Sequence, residues 1–378
     1  MTPQEMTKVR DKRIMDALNL EKPDRIPIFM SGQGFFKYVD PKATLADYFR
    51  RPKYVDDLLI QAAALPDLAE IDQAPMCGYV TEAGQAAFGA SYFAKVKLPG
   101  RDLPDDSLWN FDEQGPMTEA DYDTIVDKGW PYMVEELNRR IGFDPKSVAP
   151  PDMAYLGELA QKIAPLGKAS IGMRAMLPMP AFEVICAARR LNHFVRDLRR
   201  IPDKVRAAME IVEDASVEQG IKMLKAGPPS VYGFIGGTRS GSTFISAATF
   251  EKFYFPFYQK LIPAMQAINV RSWLHMDNDW AGFLHFFKEF DKKQCIWDPD
   301  QMTDILKIKE VLGDRMCITG NVSPALLSVG TPDECYDCAK KLCADMGKEG
   351  FIMASGCSVP VDAKRENVAA VISATMDS

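Results

Sequence analysis

MCITGNVSPALLSVGTPDECYDCAKKLCADMGKEGFIMASG, residues 316–356, reads as one strand–helix–strand unit. Its two ends, MCITGN (316–321) and GFIMASG (350–356), are apolar runs of strand length. Between them TPDE (331–334) is a helix start: Thr331 caps, Pro332 suits the first helical position and Glu334 completes a capping box. The same alternation extends back along the chain. Further strand candidates are RIPIFM (25–30), LAEIDQ (68–73), ASIGMRA (169–175), SVYGFIG (230–236), VRSWLHM (270–276) and QCIWD (294–298). Helical periodicity follows the later ones, at 279–290 and 301–312. Eight alternating β and α units predict an α/β protein, a parallel (β/α)8 TIM barrel occupying residues 1–378 as a single domain.

Two regions depart from the repeat. Residues 1–24 predict an N-terminal helical extension before the first strand. Residues 77–165 form an insertion between strands two and three. Within it GYVTEAGQAAFGASYFAKVKL (78–98), rich in Gly and β-formers, reads as a hairpin covering the barrel mouth, where such barrels build active sites.

Composition narrows the function classes. The chain has 378 residues, 47% hydrophobic and 26% charged, ample for a globular core. Lys plus Arg number 45 against 52 Asp plus Glu, a net charge of -7, which argues against a nucleic-acid groove. The short basic clusters, Arg10 with Lys12 and Arg13, and Arg189, Arg190, Arg199 and Arg200, read as solvated helix faces. The polar start MTPQEMTKVRDKR has no secretory h-region, and no run of about 18 apolar residues predicts a membrane span. Eight scattered Cys read as reduced thiols of a cytoplasmic protein.

Three segments carry a family resemblance: DRIPIF (24–29), ITGNVSPALLSVGTPDE (318–334) and GFIMASGCSVPVDAKRENVAAVI (350–372). Together they resemble the uroporphyrinogen decarboxylase superfamily. The decarboxylases proper grip substrate carboxylates with an Arg-rich loop after strand one. Here that loop, SGQGFFKYVD (31–40), holds one Lys and no Arg. The resemblance is therefore closer to the corrinoid-dependent methyltransferase branch, whose members carry zinc near the last strands.

That branch implies ligands at C-terminal strand ends: His275 closing strand five, Asp277 just beyond, Asp298 closing strand six, and Cys357 after strand eight. Thiol-methylating relatives carry His-x-Cys where this chain has His275-Met276-Asp277. Cobalamin-independent methionine synthases add a carboxylate near strand six, which Asp298 matches. A second set stays open. Vanillate-type O-demethylases space an Asp, a Cys and a Cys with 27 and 39 residues between them, and Glu289, Cys317 and Cys357 have that spacing. Cys186 and Cys295 read as core residues, and His193 and His285 as packing or surface residues. Cys335, Cys338 and Cys343 share one predicted helix without a partner pair.

Met30, Phe35, Phe36, Met173, Phe234 and Trp273 are expected to line an apolar substrate pocket, with Arg174 and Arg239 as anchors for a phenolate, carboxylate or corrinoid phosphate. Asp298 and Asn321 are the catalytic candidates. No Asp-x-His-x-x-Gly corrinoid motif is present, so the resemblance implies a separate corrinoid protein as methyl acceptor. The expected activity is zinc-dependent transfer of methyl from a small aromatic methyl ether, an O-demethylation. The alternatives are a methyl-corrinoid:thiol methyltransferase and a non-catalytic ligand-binding barrel. The sequence sets neither the methyl donor nor the oligomeric state, a homodimer included.

Overall fold

The structure is a computed structural model that describes residues 1–30, 32–78, 80–172 and 176–378. Six parallel strands form one sheet in the order β1-β8-β7-β6-β5-β4. They are β1 (Ile28–Phe29), β4 (Tyr232–Gly237), β5 (Arg271–Met276), β6 (Cys295–Pro299), β7 (Cys317–Val322) and β8 (Phe351–Ser355). Two further strands, β2 (Ala94–Lys97) and β3 (Asn110–Glu113), pair only with each other, antiparallel.

Among the described residues, the expected second and third barrel strands (68–73 and 169–175) show no regular ladder, yet Asp72 and Ala169 stand in the barrel ring. Asp72 N donates to Ile28 O at 3.0 Å, and Ala169 N donates to Asp72 O at 2.9 Å. Leu177 N then reaches Phe234 O at 2.9 Å, and Met176 bridges Phe234 in parallel, closing the ring onto β4. Side chains replace the missing ladder. The Asp72 carboxylate accepts from Ile28 N at 2.9 Å. The carbonyl of Ala69 is taken by Arg10 and Lys168, that of Glu70 by Arg25 and that of Ile71 by Lys168. Backbone groups bonded in this way have no need of a neighbouring strand.

Strand alternation divides the core in two. Outward residues such as Ile28, Met30, Leu274, Trp297, Ile318 and Met353 pack against the surrounding helices. Inward residues, Phe29, Tyr232, Trp273, Ile296, Cys317, Ile352 and Ala354, fill the barrel. The N-terminal helix Pro3–Leu18 covers the end where the strands begin, adding Ile14, Ala17 and Leu18 to that inner cluster. Thr2 caps it in a capping box with Glu5. The capping box read at Thr331 and Glu334 is present as well, heading the helix Pro332–Met346.

Two sequence expectations are corrected. The basic clusters at 10–13 and 189–190 are not simply solvated faces. Arg10 and Arg13 are 4% and 7% exposed and, with Arg25, surround the fully buried Asp72 at 3.5, 2.6 and 2.9 Å. Arg189 is buried on Asp197 at 2.7 Å. A helix face is solvated only where no buried carboxylate meets it. Within the insertion, residues 78–98 are not a hairpin alone. Glu82–Ser91 is a helix capped by Thr81, and β2 then begins a hairpin with β3. Gly89 suits this turn of helix because Val96 packs where a side chain would stand.

The Asp72 cluster should be a strong contributor to stability. Half-exposed pairs such as Arg50–Asp105 contribute about 0–1 kcal/mol. Removing one partner of a buried group typically costs about 3–5 kcal/mol, because a charge is left buried and unpaired. Asp72→Ala is expected to lower the unfolding free energy by that amount, and Asp105→Ala by less than about 1 kcal/mol. Equal effects of the two in denaturant titrations would contradict this assignment.

Candidate metal centre at the barrel mouth

Three inward columns of the barrel change character along their length. Trp273 is followed by His275, Ile296 by Asp298 and Cys317 by Thr319, apolar where the strands begin and polar where they end. The parallel register sets His275 opposite Asp298. Since Trp297 pairs with Ile318, Thr319 comes level with Asp298 on the next strand.

The side chains meet accordingly. Asp298 Oδ2 accepts from His275 Nδ1 at 2.8 Å and from Trp273 Nε1 at 2.9 Å. Asp298 Oδ1 accepts from the Thr319 hydroxyl. The other imidazole nitrogen, His275 Nε2, lies 3.4 Å from Asp277 Oδ1 and 3.9 Å from Cys357 Sγ. One donor atom each from His275, Asp277 and Cys357 falls within 4.8 Å of the others. Phe234 stacks on the imidazole with centroids 5.6 Å apart.

Burial opposes charge on His275. The charge of Asp298 and the hydrogen bonds to Asp277, Asp298 and Cys357 outweigh it and hold the imidazole well above its ordinary range. Burial likewise pushes against the Asp298 charge, yet His275, Thr319 and Trp273 keep its carboxyl below the usual value. Asp300, the residue after β6, is raised by burial and by the charge of Asp277.

The loops beyond the strands are laced together. Asn278, with φ of 75°, donates from its backbone to Asp300 Oδ2 at 2.7 Å and from its side chain to Thr238 O at 2.6 Å. Glu183 is fully buried at the start of the helix Ala181–Arg189. It accepts from the backbone of Thr238 and Arg239 at 2.9 and 2.8 Å, and from Tyr254 OH at 3.2 Å. A buried carboxylate in an apolar helix was the available sequence signal for Glu183, as a Thr in an apolar strand was for Thr319.

The other expected residues fall elsewhere. The alternative set Glu289, Cys317 and Cys357 is not brought together. Glu289 is exposed at the end of the 3-10 turn Leu284–Glu289 and bonds Gln259 at 3.1 Å. Cys317 is fully buried at the start of β7, where burial pushes its thiol up. Equal sequence spacing fails here because the two cysteines stand near opposite ends of the barrel. Met30, Phe35 and Phe36 are buried in the outer core, because Phe29 takes the inward place and Met30, one residue on, must face outward. Trp273 is inward and 6% exposed, held by Asp298 and by ring contacts to Phe29 and Tyr232. Arg239 is engaged by Glu113 of the insertion hairpin and by Glu183, and lies over Tyr92, so its charge is already matched. Asn321 Nδ2 donates to Asp300 O at 3.2 Å, bracing the turn after β6. It follows Gly320, whose φ of +108° is one that side-chained residues rarely adopt. Met173 and Arg174 lie outside the described residues. Cys186 and Cys295 are buried core residues. A cavity of about 730 Å³ opens on the barrel flank, lined among others by Thr7, Pro75, Cys77, Ile163 and Lys168, away from the His275 cluster.

Fold and cluster together define an α/β barrel with metal-ligating side chain types gathered at the C-terminal ends of its strands. The chain belongs to the uroporphyrinogen decarboxylase (URO-D) family, whose sequence model matches residues 143–377. It is similar in structure to a methyltransferase from Methanosarcina mazei, with a TM-score of 0.66 over 97% of this chain and 98% of that one, at 18% identity. That likeness confirms the fold. A comparison with curated proteins gives no match. Among the described residues no helix is long and apolar enough to cross a membrane.

All eight cysteines are described and free, and Cys357 alone is exposed. Mild native alkylation is expected to modify one thiol fast, and Cys357→Ser to abolish that phase. A fast phase surviving in the variant would place the accessible thiol elsewhere.

Proposed function

We propose that this protein is a zinc-dependent methyltransferase that moves the methyl group of an aryl methyl ether to the cobalt of a separate corrinoid protein. The observation that carries the reading is the convergence of His275 Nε2, Asp277 and Cys357 at the barrel mouth. A nitrogen, an oxygen and a sulfur donor with one exposed side fit zinc, whose catalytic sites take three protein ligands and keep a position open. Zinc there would supply a Lewis acid for the ether oxygen as it leaves. A carboxylate in place of a second thiolate keeps the site harder, which suits an oxygen leaving group.

The remaining features are the chain's own. Phe234, half-buried and stacked on His275, offers a flat wall for an aromatic ring. Phe244 and Met302, 48% and 62% exposed on the loops after β4 and β6, offer apolar surface to a docking corrinoid protein. The insertion hairpin, tied to the β4 loop through Glu113 and Arg239, is placed to act as a lid. Decarboxylation of a polyacid is disfavoured: Lys37, the one cation of the loop 31–40, is already bonded to Asp106 at 2.6 Å. The name of the Methanosarcina neighbour agrees with methyl transfer. Eight free thiols suit a reducing cytoplasm.

The test mixes the enzyme with Co(I) corrinoid protein and a panel of methoxyarenes, and follows phenol release and methylcobalt together. Both are expected to rise in step. His275→Ala and Cys357→Ala should lose most bound zinc and turnover, and Cys317→Ser should keep both. Methylcobalt formed from no aryl ether, but consumed by an added thiol, would replace this reading with thiol methylation. Absence of zinc and of methyl transfer in either direction would leave a binding barrel.

A further inference from the structure

Resting on the metal reading above, we infer that Asp298 is a positioning residue, held by Thr319 and Trp273, which points His275 Nε2 at the metal and does not bind the metal itself. Three donors engage both oxygens of the carboxylate. Oδ2 takes the His275 Nδ1 bond at 2.8 Å and the Trp273 Nε1 bond at 2.9 Å, and Oδ1 takes the Thr319 hydroxyl. The indole N–H is only a donor, so Asp298 must present an acceptor to it. The same oxygen then accepts from Nδ1, which assigns the Nδ1–H tautomer to the neutral ring and leaves the Nε2 lone pair facing Asp277 and Cys357.

The arrangement is built into the rigid part of the fold. His275 and Asp298 pair in the ladder of β5 and β6, and Thr319, paired with Ile352 of β8, follows the last pair of β6 and β7. Trp273 lies two residues before His275 on the same face, its ring stacked on Phe29 at 5.9 Å and packed on Tyr232 at 4.7 Å. A carboxylate behind a ligating imidazole fixes ring orientation and strengthens the far nitrogen as a donor. Asp277 and Cys357 come from the segments beyond β5 and β8, so His275 is the ligand on which the strands confer most precision.

The chain has only three histidines, so imidazole 15N spectra of the whole protein can be assigned with His275→Gln as reference. In the zinc-loaded protein His275 is expected to carry its proton on Nδ1 and the metal on Nε2. Asp298→Asn should weaken zinc in chelator competition by about 10–100-fold while keeping its stoichiometry. Thr319→Val and Trp273→Phe should weaken it less and move the Nδ1 proton resonance, and Thr319→Ser should restore both. With Co(II) in place of zinc, Asp298→Asn should keep the wild-type coordination number. Zinc on Nδ1, unchanged affinity in Asp298→Asn, or loss of a cobalt ligand in that variant would each overturn the inference while leaving the metal site standing. Wild-type protein that takes up no zinc would instead overturn the metal reading, and this inference with it.

Discussion

A single buried carboxylate, Asp72, closes the barrel. It receives Ile28 N, and its own backbone links the first barrel position to the third through Ala169. Arg10, Arg13 and Arg25 neutralise it, and Arg10 and Arg25 also bond carbonyls of the segment that carries it. Charges at this depth persist only when matched. The helix Pro3–Leu18 is thereby fixed to the floor of the barrel at two kinds of contact, ionic at Arg10 and Arg13 and apolar at Ile14, Ala17 and Leu18. Lys168 adds two bonds across the gap between β1 and β4, to the carbonyls of Ala69 and Ile71.

The rest of the barrel follows from parallel pairing. Five continuous ladders hold β4 through β8 and β1 in register, so inward residues stack in columns. The columns are apolar at the floor, where the N-terminal helix excludes water, and polar at the mouth, where loops admit it. Asp298 tolerates its depth because three donors reach it. The same polarity explains why Cys317, which begins β7, and Cys357, just beyond β8, differ so much. One stands on the floor among Ile296 and Ile352, and the other stands exposed beyond β8.

The insertion engages Arg239, a charge expected from the sequence to serve a ligand. Arg239 joins Glu113 of the hairpin to Glu183 beneath the β4 loop, and Asn278 ties that loop to the next. The mouth is thus framed by three loops that share hydrogen bonds, with Phe234 and His275 facing each other inside the frame.

Local sequence determined the six laddered strands, the capped helix at Thr331 and the strand-end positions of His275, Asp298 and Cys357. Each depends on neighbours a few residues away, on period and on capping chemistry. Tertiary structure alone decided the rest. LAEIDQ lacks a ladder because arginines and a lysine distant in sequence take its carbonyls. Met30 turned outward because Phe29 took the interior. Glu289 and Cys317 kept the right spacing and the wrong places, since spacing counts residues and not barrel height. Which nitrogen of His275 faces Asp277 and Cys357 follows from Asp298, 23 residues on, brought beside it by the register of two strands. A side chain's type is local, but its partners are set by the packing of the whole chain.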